Sequence, residues 1–181
     1  MFIRKKTSRN NTNVYNVMDV VVYIVKYCDT KNRHINNITL QKLLYFVQAY
    51  FMTQTQERQK LFDAKFVAWE FGPACPAAYY ELQHHVGNLA SVVEEYSIIK
   101  NAKPFDYTPQ INDNDKVIIN AILDYYLNFS SSGLIVLSRN QDPWINTPKG
   151  EIIEDQLIIK YFSRNKQPIM LSNSKRGMTY V

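Results

Sequence analysis

The sequence is poor in the residue types from which many functional sites are built. Its only cysteines, Cys28 and Cys75, are too few for a disulfide framework and lack metal-site spacing. Among its five glycines there is no phosphate loop, nucleophile elbow or dinucleotide fingerprint. The adjacent His84 and His85 would point about 100° apart on a helix, too divergent for one ion. We therefore predict no catalytic residues, no metal site and no cofactor.

Cys75 is the residue that best tests the enzyme hypothesis, because a thiol beside a helix N-terminus can have a lowered pKa. His84 and His85 follow it on what reads as the same helix, roughly 13–15 Å away along the axis. That separation excludes a thiol–imidazole pair within the helix, although His34 remains a partner from elsewhere. The expected role of Cys75 is that of a small packing residue.

Long hydrophobic runs are also missing. No run approaches the roughly 18 residues that span a bilayer, and the longest, at 20–25, is interrupted by Tyr23. The basic start MFIRKKTSRNN is not followed by an apolar segment of signal-peptide character. The length of 181 residues and the 46% hydrophobic content fit a single globular domain. We expect a cytoplasmic protein that does not enter membranes.

The net charge of +5 comes from the two ends of the chain. Residues 1–18 and 163–181 contain no acid, and they leave 13 basic against 16 acidic residues between them. We predict a basic arm at 1–12, a helical domain at 13–163 and a basic tail at 164–181. The ends are either solubilising termini or weak nucleic-acid contacts. The candidate contacts are Arg4, Lys5, Lys6, Arg9, Lys175 and Arg176.

Hydrophobic periodicity predicts a mainly α fold, a single compact multi-helix domain. Helices are predicted at 13–28, from Asn37 or Thr39 to about 51, at 76–86, at 112–129, at 134–138 and at 154–162. The helix at 112–129 is apolar on all sides and is expected at the centre of the domain. A minor extended element is predicted near 64–71, where residues alternate, and 92–99 fits either a strand or a helix.

The helix at 39–51 carries polar residues on what reads as its outer face, with Lys42, Tyr45 and Gln48 in one stripe. The turn at 69–73 is expected beside it, so that together they form a groove for a protein partner. The candidate partner-binding residues are Gln41, Lys42, Tyr45, Gln48, Trp69, Glu70, Gly72, Pro73 and Trp144. In the alternative interpretation, Lys42 and Gln48 hold the turn at 72–73 and both tryptophans are core anchors.

A DNA-binding interpretation of the same helix is the second alternative, because Gln41, Lys42 and Gln48 are residue types that contact DNA. The connection at 29–38 is too long for a helix-turn-helix, and the middle of the chain is net acidic. A nucleic-acid-binding regulator of phage or plasmid origin therefore remains an alternative that would act through the basic ends.

Four segments together resemble the Panacea domain of SocA-like, phage-associated antitoxins: TLQKLLYFVQAYF at 39–51, FVAWEFGPACPAAYYEL at 66–82, DPW at 142–144 and EIIEDQLIIKYF at 151–162. The resemblance covers about residues 14–163. The matching positions are Leu40, Gln41, Lys42, Leu43, Leu44, Tyr45, Gln48, Ala68, Trp69, Gly72, Pro73, Tyr79, Pro143, Trp144, Ile158, Tyr161 and Phe162. Many members carry Thr-His shortly before Pro-Trp, where this chain has Asn140 and Gln141.

The resemblance implies a mainly helical protein without enzymatic activity that binds and neutralises a cognate toxin of a toxin–antitoxin pair. Some SocA-like proteins resemble adaptors that deliver the toxin to a protease. A protease or a chaperone is therefore a further candidate partner.

Overall fold

A computed structural model of the chain describes residues 14–54, 60–85, 87, 89–103 and 106–165. Within these ranges the chain forms eight helices and a small antiparallel sheet with strand order β2-β1-β3. The helices are α1 Val17–Thr30, α2 Asn37–Gln54, α3 Pro76–Glu81, α4 Ala90–Ile99, α5 Asp113–Tyr126, α6 Ser131–Arg139, α7 Asp142–Ile145 and α8 Asp155–Arg164. The strands are β1 Phe66–Trp69, β2 Gly72–Ala74 and β3 Ile152–Ile153. The predicted mainly α fold with a minor extended element is confirmed.

Helix α2 lies at the centre of the domain. Its side chains are buried on every side from Thr39 to Thr53, and α1, α3, α5, α6, α8 and β2 all pack against it. The prediction that this helix has an outer polar face is therefore wrong. The central position was predicted for the helix at 112–129, but α5 exposes Asp113 and Asp124. Its Asp and Asn residues give α5 a polar side, which the apolar periodicity concealed.

Asparagine and serine side chains define several helix starts, as expected of residues that accept hydrogen bonds from free backbone N–H groups. The Asn16 side chain accepts from Met18 N, Asn112 accepts from Asp115 N and Ser130 accepts from Gly133 N. The Asn36 side chain accepts from Thr39 N, so the cap of α2 precedes both predicted candidates. The segment at 92–99, for which a strand and a helix were both possible, lies in helix α4. Helix α3 ends at Glu81, before the predicted end at residue 86.

Aromatic rings from three helices fill the core around α2. Phe46 stacks on Tyr126 of α5 with ring centroids 3.9 Å apart and an interplanar angle of 7°. Phe162 of α8 approaches Phe46 edge-on at 6.4 Å. Val21, Leu43, Leu44 and Ile122 are fully buried in this core, whereas Trp69 and Tyr161 are half-buried at its edge.

The tip of the β1–β2 hairpin is exposed. Val67 pairs with Ala74, Ala68 with Pro73 and Trp69 with Gly72, so Glu70 and Phe71 form the two-residue turn. On the other edge, β1 pairs with β3 through Phe66 and Ile153. Strand β2 packs on α2 and α6, which fixes one side of the hairpin to the domain. In the described part of the chain, no helix combines the length and hydrophobicity needed to cross a bilayer.

Candidate functional site

Six of the nine predicted partner-binding residues are buried: Gly72 and Pro73 of β2, and four residues of α2. The exposed fraction is 2% for Gln41, 2% for Lys42, 0% for Tyr45 and 1% for Gln48. Side chains this deeply buried cannot form the wall of a surface groove. The groove predicted along α2 is therefore wrong, and the polar groups of α2 have to find their partners within the chain.

Lys42 binds the hairpin. Its Nζ donates to the carbonyl oxygen of Pro73 at 2.8 Å, as the alternative interpretation of the sequence proposed. None of the described carboxylates lies within salt-bridge distance of this amine. Because burial penalises the charged form, the pKa of Lys42 falls from its ordinary value to about 7. The amine therefore acts as a hydrogen-bond donor to the backbone rather than as a surface charge.

Gln41 holds the end of the same hairpin, one residue earlier on α2. Its side-chain oxygen accepts a hydrogen bond from the backbone N–H of Cys75 at 2.8 Å. Its amide nitrogen donates to Asn37 Oδ1 at 2.9 Å. Both polar ends of the side chain are thus satisfied, which is what an amide buried beside a strand end requires.

Gln48 binds a different segment from the one that the alternative interpretation assigned to it. Its Nε2 donates to Phe62 O at 2.7 Å, and its Oε1 accepts from Leu61 N at 2.9 Å. Residues 61–62 lead into β1 and lie beside Tyr15, whose N–H donates to Leu61 O at 2.8 Å. Gln48 therefore fixes the entry to the sheet, while Lys42 and Gln41 fix its hairpin.

The hairpin is held from its other side by α7. Trp144 Nε1 donates to the carbonyl oxygen of Trp69 at 2.9 Å, across 75 residues of sequence. The guanidinium carbon of Arg139 lies 4.9 Å from the centroid of the Trp144 ring, a cation–π contact. Gly150 N donates to Ala68 O at 2.9 Å, next to β3. Backbone atoms of β1 and β2 are thus bound by α2, by α7 and by the segment before β3.

Three side chains on this hairpin surface point outward. Glu70 is exposed, Phe71 is 55% exposed and Tyr80 of α3 is 56% exposed. The centroid of the Trp69 ring lies 4.8 Å from that of Tyr79, with an interplanar angle of 90°. It lies 6.0 Å from the centroid of the Tyr80 ring, with an interplanar angle of 67°. We call Glu70, Phe71 and Tyr80, with the half-buried Trp69 and Tyr79, the hairpin surface. An exposed aromatic cluster on a firmly held turn is typical of a protein-binding surface.

Sequence reasoning reached only part of the hairpin surface. It named Trp69 and Glu70 as partner-binding residues but did not assign Phe71, Tyr79 or Tyr80 to the site, and it did not predict the Arg139 contact with Trp144. The alternation noted along 66–71 does not give the direction of Phe71, because it would place Glu70 on the face of the buried Phe66 and Ala68, whereas Glu70 lies in the turn and is exposed. The partner-binding role of Trp69, Glu70, Gly72, Pro73 and Trp144 stays a prediction.

Cys75, the residue considered for catalysis, packs inside the domain. Cys75 is fully buried, and burial raises the pKa of its thiol although N–H groups of α3 act in the opposite direction. The ranges that the structure describes contain no group of three His, Cys, Asp or Glu side chains placed to hold a metal ion. Gln141, which stands near the family's Thr-His position, is 2% exposed, and its side-chain oxygen has no partner among the described residues.

The candidate nucleic-acid contacts Arg4, Lys5, Lys6, Arg9, Lys175 and Arg176 lie outside the described residues. The predicted arm at 1–12 and residues 166–181 of the predicted tail lie outside them too, while Arg164 is the last residue of α8.

Comparison with known proteins gives one family. The family model described as antitoxin SocA-like, Panacea domain, matches residues 40–145. The matched range begins in α2 and ends in α7, so it includes all of the side chains that hold or form the hairpin surface. No curated protein and no solved structure matches the chain.

Proposed function

Because the chain belongs to the SocA-like antitoxin family with a Panacea domain, we propose that it is a non-enzymatic antitoxin that binds and neutralises a cognate toxin protein. The toxin docks on the hairpin surface. The proposal keeps Trp69, Glu70 and Trp144 of the predicted site, and it moves the site from α2 to the tip of the hairpin.

The observation that carries the proposal is the opposite orientation of two sets of residues. Gln41, Lys42 and Trp144 bind backbone atoms of the hairpin, at Cys75 N, Pro73 O and Trp69 O. The side chains of Glu70 and Phe71 receive none of these bonds and face solvent. A backbone that is fixed by the domain presents its tip side chains without a large loss of conformational entropy on binding, which favours affinity.

The composition of the surface supports a protein as the partner. Aromatic side chains are enriched at the centre of protein interfaces and dominate their binding energy. Phe71 is an apolar anchor at the tip, and Tyr80 adds a ring with a polar end. The surface has no lysine or arginine of its own between residues 66 and 83, so it lacks the cations by which a folded domain binds phosphate backbones.

Co-expression with the protein encoded by the adjacent gene tests the proposal. The neighbour should arrest growth alone and be harmless with this chain. Phe71→Ser should abolish protection and co-purification while leaving the melting temperature near that of the wild type. Ile99→Ser is the matched control, because Ile99 is a similarly exposed apolar residue at the end of α4, at 60%. A neighbour that is harmless alone would contradict the proposed function. Equal effects of Phe71→Ser and Ile99→Ser would contradict the hairpin surface as the binding site.

Measuring the amount of toxin in the rescued cells separates two ways of neutralising it. Direct neutralisation leaves the toxin present in a complex, so an immunoblot should show undiminished toxin. An adaptor that delivers the toxin to a protease lowers its level, and the level should recover in cells that lack the protease. The hairpin surface supports binding in both cases, and we propose direct neutralisation as the simpler activity.

A further inference from the structure

The two strands of the hairpin are attached to the domain by different kinds of hydrogen-bond donor. Strand β1 is attached to α7 through the indole N–H of Trp144, which donates to Trp69 O at 2.9 Å. Strand β2 is attached to α2 through the amine of Lys42, which donates to Pro73 O at 2.8 Å. The indole donor does not titrate and the amine does. A change of pH can therefore act on the attachment of β2 and leave that of β1 in place.

The amine of Lys42 is enclosed between α2, β2 and α6. Lys42 is 2% exposed, and its Nζ lies beside Gly72 of β2 together with the buried hydroxyl of Ser138. That hydroxyl donates its own proton to Ile135 O. Pro73 O is the only acceptor bonded to the amine among the described residues. A protonated amine has three N–H donors and a charge, so this enclosure suits a neutral amine better than a cation.

The surroundings of the amine contain no charge that would stabilise a bound proton. The residues of β2 are not ionisable, and the guanidinium of Arg139 on α6 lies over the Trp144 ring. The thiol of Cys75, after β2, and the hydroxyl of Tyr45, on α2, are buried, and burial raises the pKa of both. For Lys42, burial is the one cause of the lowered pKa, without a contribution from a charged group of the described residues.

Helices α1, α3, α5 and α8 also pack against α2, and their carboxylates interact with groups other than the Lys42 amine. The interactions join Asp19 to Tyr107, Asp29 to His34, Glu81 to Tyr96, Asp113 to Lys116, Asp115 to Tyr15, Asp124 to Lys31 and Asp155 to Lys60. Burial also raises the pKa of Tyr126 on α5 and of Tyr161 on α8. The charge of a protonated Lys42 would therefore be uncompensated in its enclosed position.

We propose, building on the proposed function, that Lys42 makes toxin binding depend on pH, because the neutral amine holds β2 on α2 and the protonated amine releases it. In the released form the amine reaches water, which solvates its charge. Strand β1 keeps its bond to α7, so the hairpin opens on the β2 side and Phe71 at the tip changes position. The toxin binds the closed form, so its apparent affinity falls as the released form becomes populated.

The direction of the pH effect follows from the protons that the two forms bind. The pKa of Lys42 is about 7 in the closed form, against an ordinary value of 10.5 for an amine in water. Between these values the released form binds a proton that the closed form does not. Each unit by which the pH falls therefore shifts the ratio of closed to released hairpin by up to about tenfold toward release. Below pH 7 both forms are protonated, and the shift levels off.

Hydrogen exchange of the purified full chain at pH 7, 8 and 9 tests the release of β2 without the toxin. After division by the intrinsic rate at each pH, exchange at 67–74 should increase by up to about tenfold per unit of acidification. These amides should also exchange faster than those of α2, because β2 opens locally. Lys42→Met should remove the pH dependence, and Lys160→Met, at an exposed lysine, should keep it. Other titrating groups are the same in both variants, so their contribution cancels.

Two further measurements keep the test decisive if Lys42→Met does not fold. Lys42→Arg places a permanent cation at this position, so residues 67–74 should exchange rapidly at every pH from 7 to 9. In the wild type, the Cε chemical shift of Lys42 and the amide shift of Gly72 should titrate together, with a midpoint below 10.5. A Lys42 that titrates at its ordinary value would overturn the inference.

Calorimetry with an inactive form of the adjacent-gene toxin tests the consequence for binding. The Kd of the wild type should rise several-fold from pH 9 to pH 7, and that of Lys42→Met should stay constant. An equal rise in Lys42→Met would assign the pH dependence to other groups and overturn the role of Lys42.

The two proposals fail in different ways. If the wild-type chain does not bind the toxin at any pH, the proposed function is overturned, while hydrogen exchange still decides whether protonation releases β2. If the toxin binds and exchange at 67–74 is independent of pH, the antitoxin function stands and the role of Lys42 is wrong. The same holds if residues 67–74 exchange only together with α2, because the hairpin then opens only when the whole domain unfolds.

Discussion

The amine of Lys42 lies in the space that a side chain on Gly72 would need. A Cβ built on Gly72 would come within 3.2 Å of Lys42 Nζ and within 2.6 Å of Ser138 Oγ. Gly72 also has φ +93°, a backbone conformation that residues other than glycine rarely adopt. The close approach of α2, α6 and β2 thus depends on the absence of this one atom.

Gly72→Ala should therefore destabilise the protein more than an alanine at a glycine with free space. Gly150 has φ +86° and no atom within 4 Å of its Cβ position, so Gly150→Ala isolates the backbone strain. We expect about 1–2 kcal/mol for Gly150→Ala and a further 1–3 kcal/mol for Gly72→Ala, from overpacking against Ser138 and Lys42. Urea unfolding measures both. Equal losses would show that the amine and the hydroxyl move aside at no cost.

The buried Lys42 amine should make stability depend on pH. Its pKa is about 7 in the folded chain against an ordinary value of 10.5, so between these values the unfolded chain binds a proton that the folded chain does not. Stability should therefore rise with pH across this window, by up to ~1.4 kcal/mol per pH unit, and fall as pH drops toward 7. Lys42→Met should flatten this slope in urea unfolding between pH 7 and 9.

The Lys42→Met comparison needs a control for the loss of one lysine. Lys160→Met serves, because Lys160 is exposed on α8. It should keep the slope of the wild type. If Lys42→Met also keeps that slope, the buried amine does not titrate in this range, and its burial is compensated by groups other than Pro73 O.

The sequence predicted the helices well where one side was strongly apolar. The predicted helix at 13–28 corresponds to α1, and the predicted helix at 154–162 corresponds to α8. The helix at 39–51 was also found, but its environment was misjudged. Gln41, Lys42 and Gln48 are polar, and periodicity places polar residues on the outside. Only backbone groups distant in sequence, such as Pro73 O and Phe62 O, make their burial possible, and no local pattern reports them.

The site was predicted in part for the same reason. Trp69 and Trp144 are conspicuous in the sequence, but the hydrogen bond between them joins residues 75 positions apart. The outward direction of Phe71 depends on the two-residue turn that pairs Trp69 with Gly72. The contact between Trp69 and Tyr80 depends on how α3 leaves β2. Tertiary packing determines this bond, this direction and this contact. The resemblance to a family indicated which residues to consider, but not how their side chains are oriented.

The buried hydroxyl of Tyr45 should be a liability for stability. Tyr45 is 0% exposed, and its hydroxyl has no hydrogen-bond partner among the described residues. Burial also raises its pKa well above the ordinary value. Tyr45→Phe should therefore leave stability unchanged or increase it by about 1 kcal/mol, because an unsatisfied polar group is removed from the core.

Tyr23→Phe is the matched substitution for comparison. The Tyr23 hydroxyl donates to Asn120 Oδ1 at 2.8 Å and joins α1 to α5. Its removal should lower the free energy of unfolding by about 0.5–1.5 kcal/mol. Urea denaturation of the two variants checks the contrast. A clear destabilisation by Tyr45→Phe would mean that its hydroxyl does have a partner.

Trp144 can act on partner binding in two ways, and Trp144→Phe separates them. The substitution removes the bond from Nε1 to Trp69 O but keeps a ring beneath Arg139. The loss of one partly buried hydrogen bond should cost about 1 kcal/mol, or roughly 2–4 °C in melting temperature for a chain of this size. Backbone amides at 67–74 should exchange faster with solvent, because the hairpin loses its attachment to α7.

Binding to the toxin then decides between the two roles. If Trp144 only supports the hairpin, the affinity of Trp144→Phe should fall in proportion to the loosening of residues 67–74, and low temperature should restore it. If the indole itself contacts the toxin, affinity should stay low even where the hairpin is fully protected from exchange. Phe71→Ser provides the reference, because Phe71 is 55% exposed at the tip and its loss should weaken binding without faster exchange. Unchanged stability, exchange and affinity in Trp144→Phe would show that the bond to Trp69 contributes neither to the stability of the hairpin nor to toxin binding.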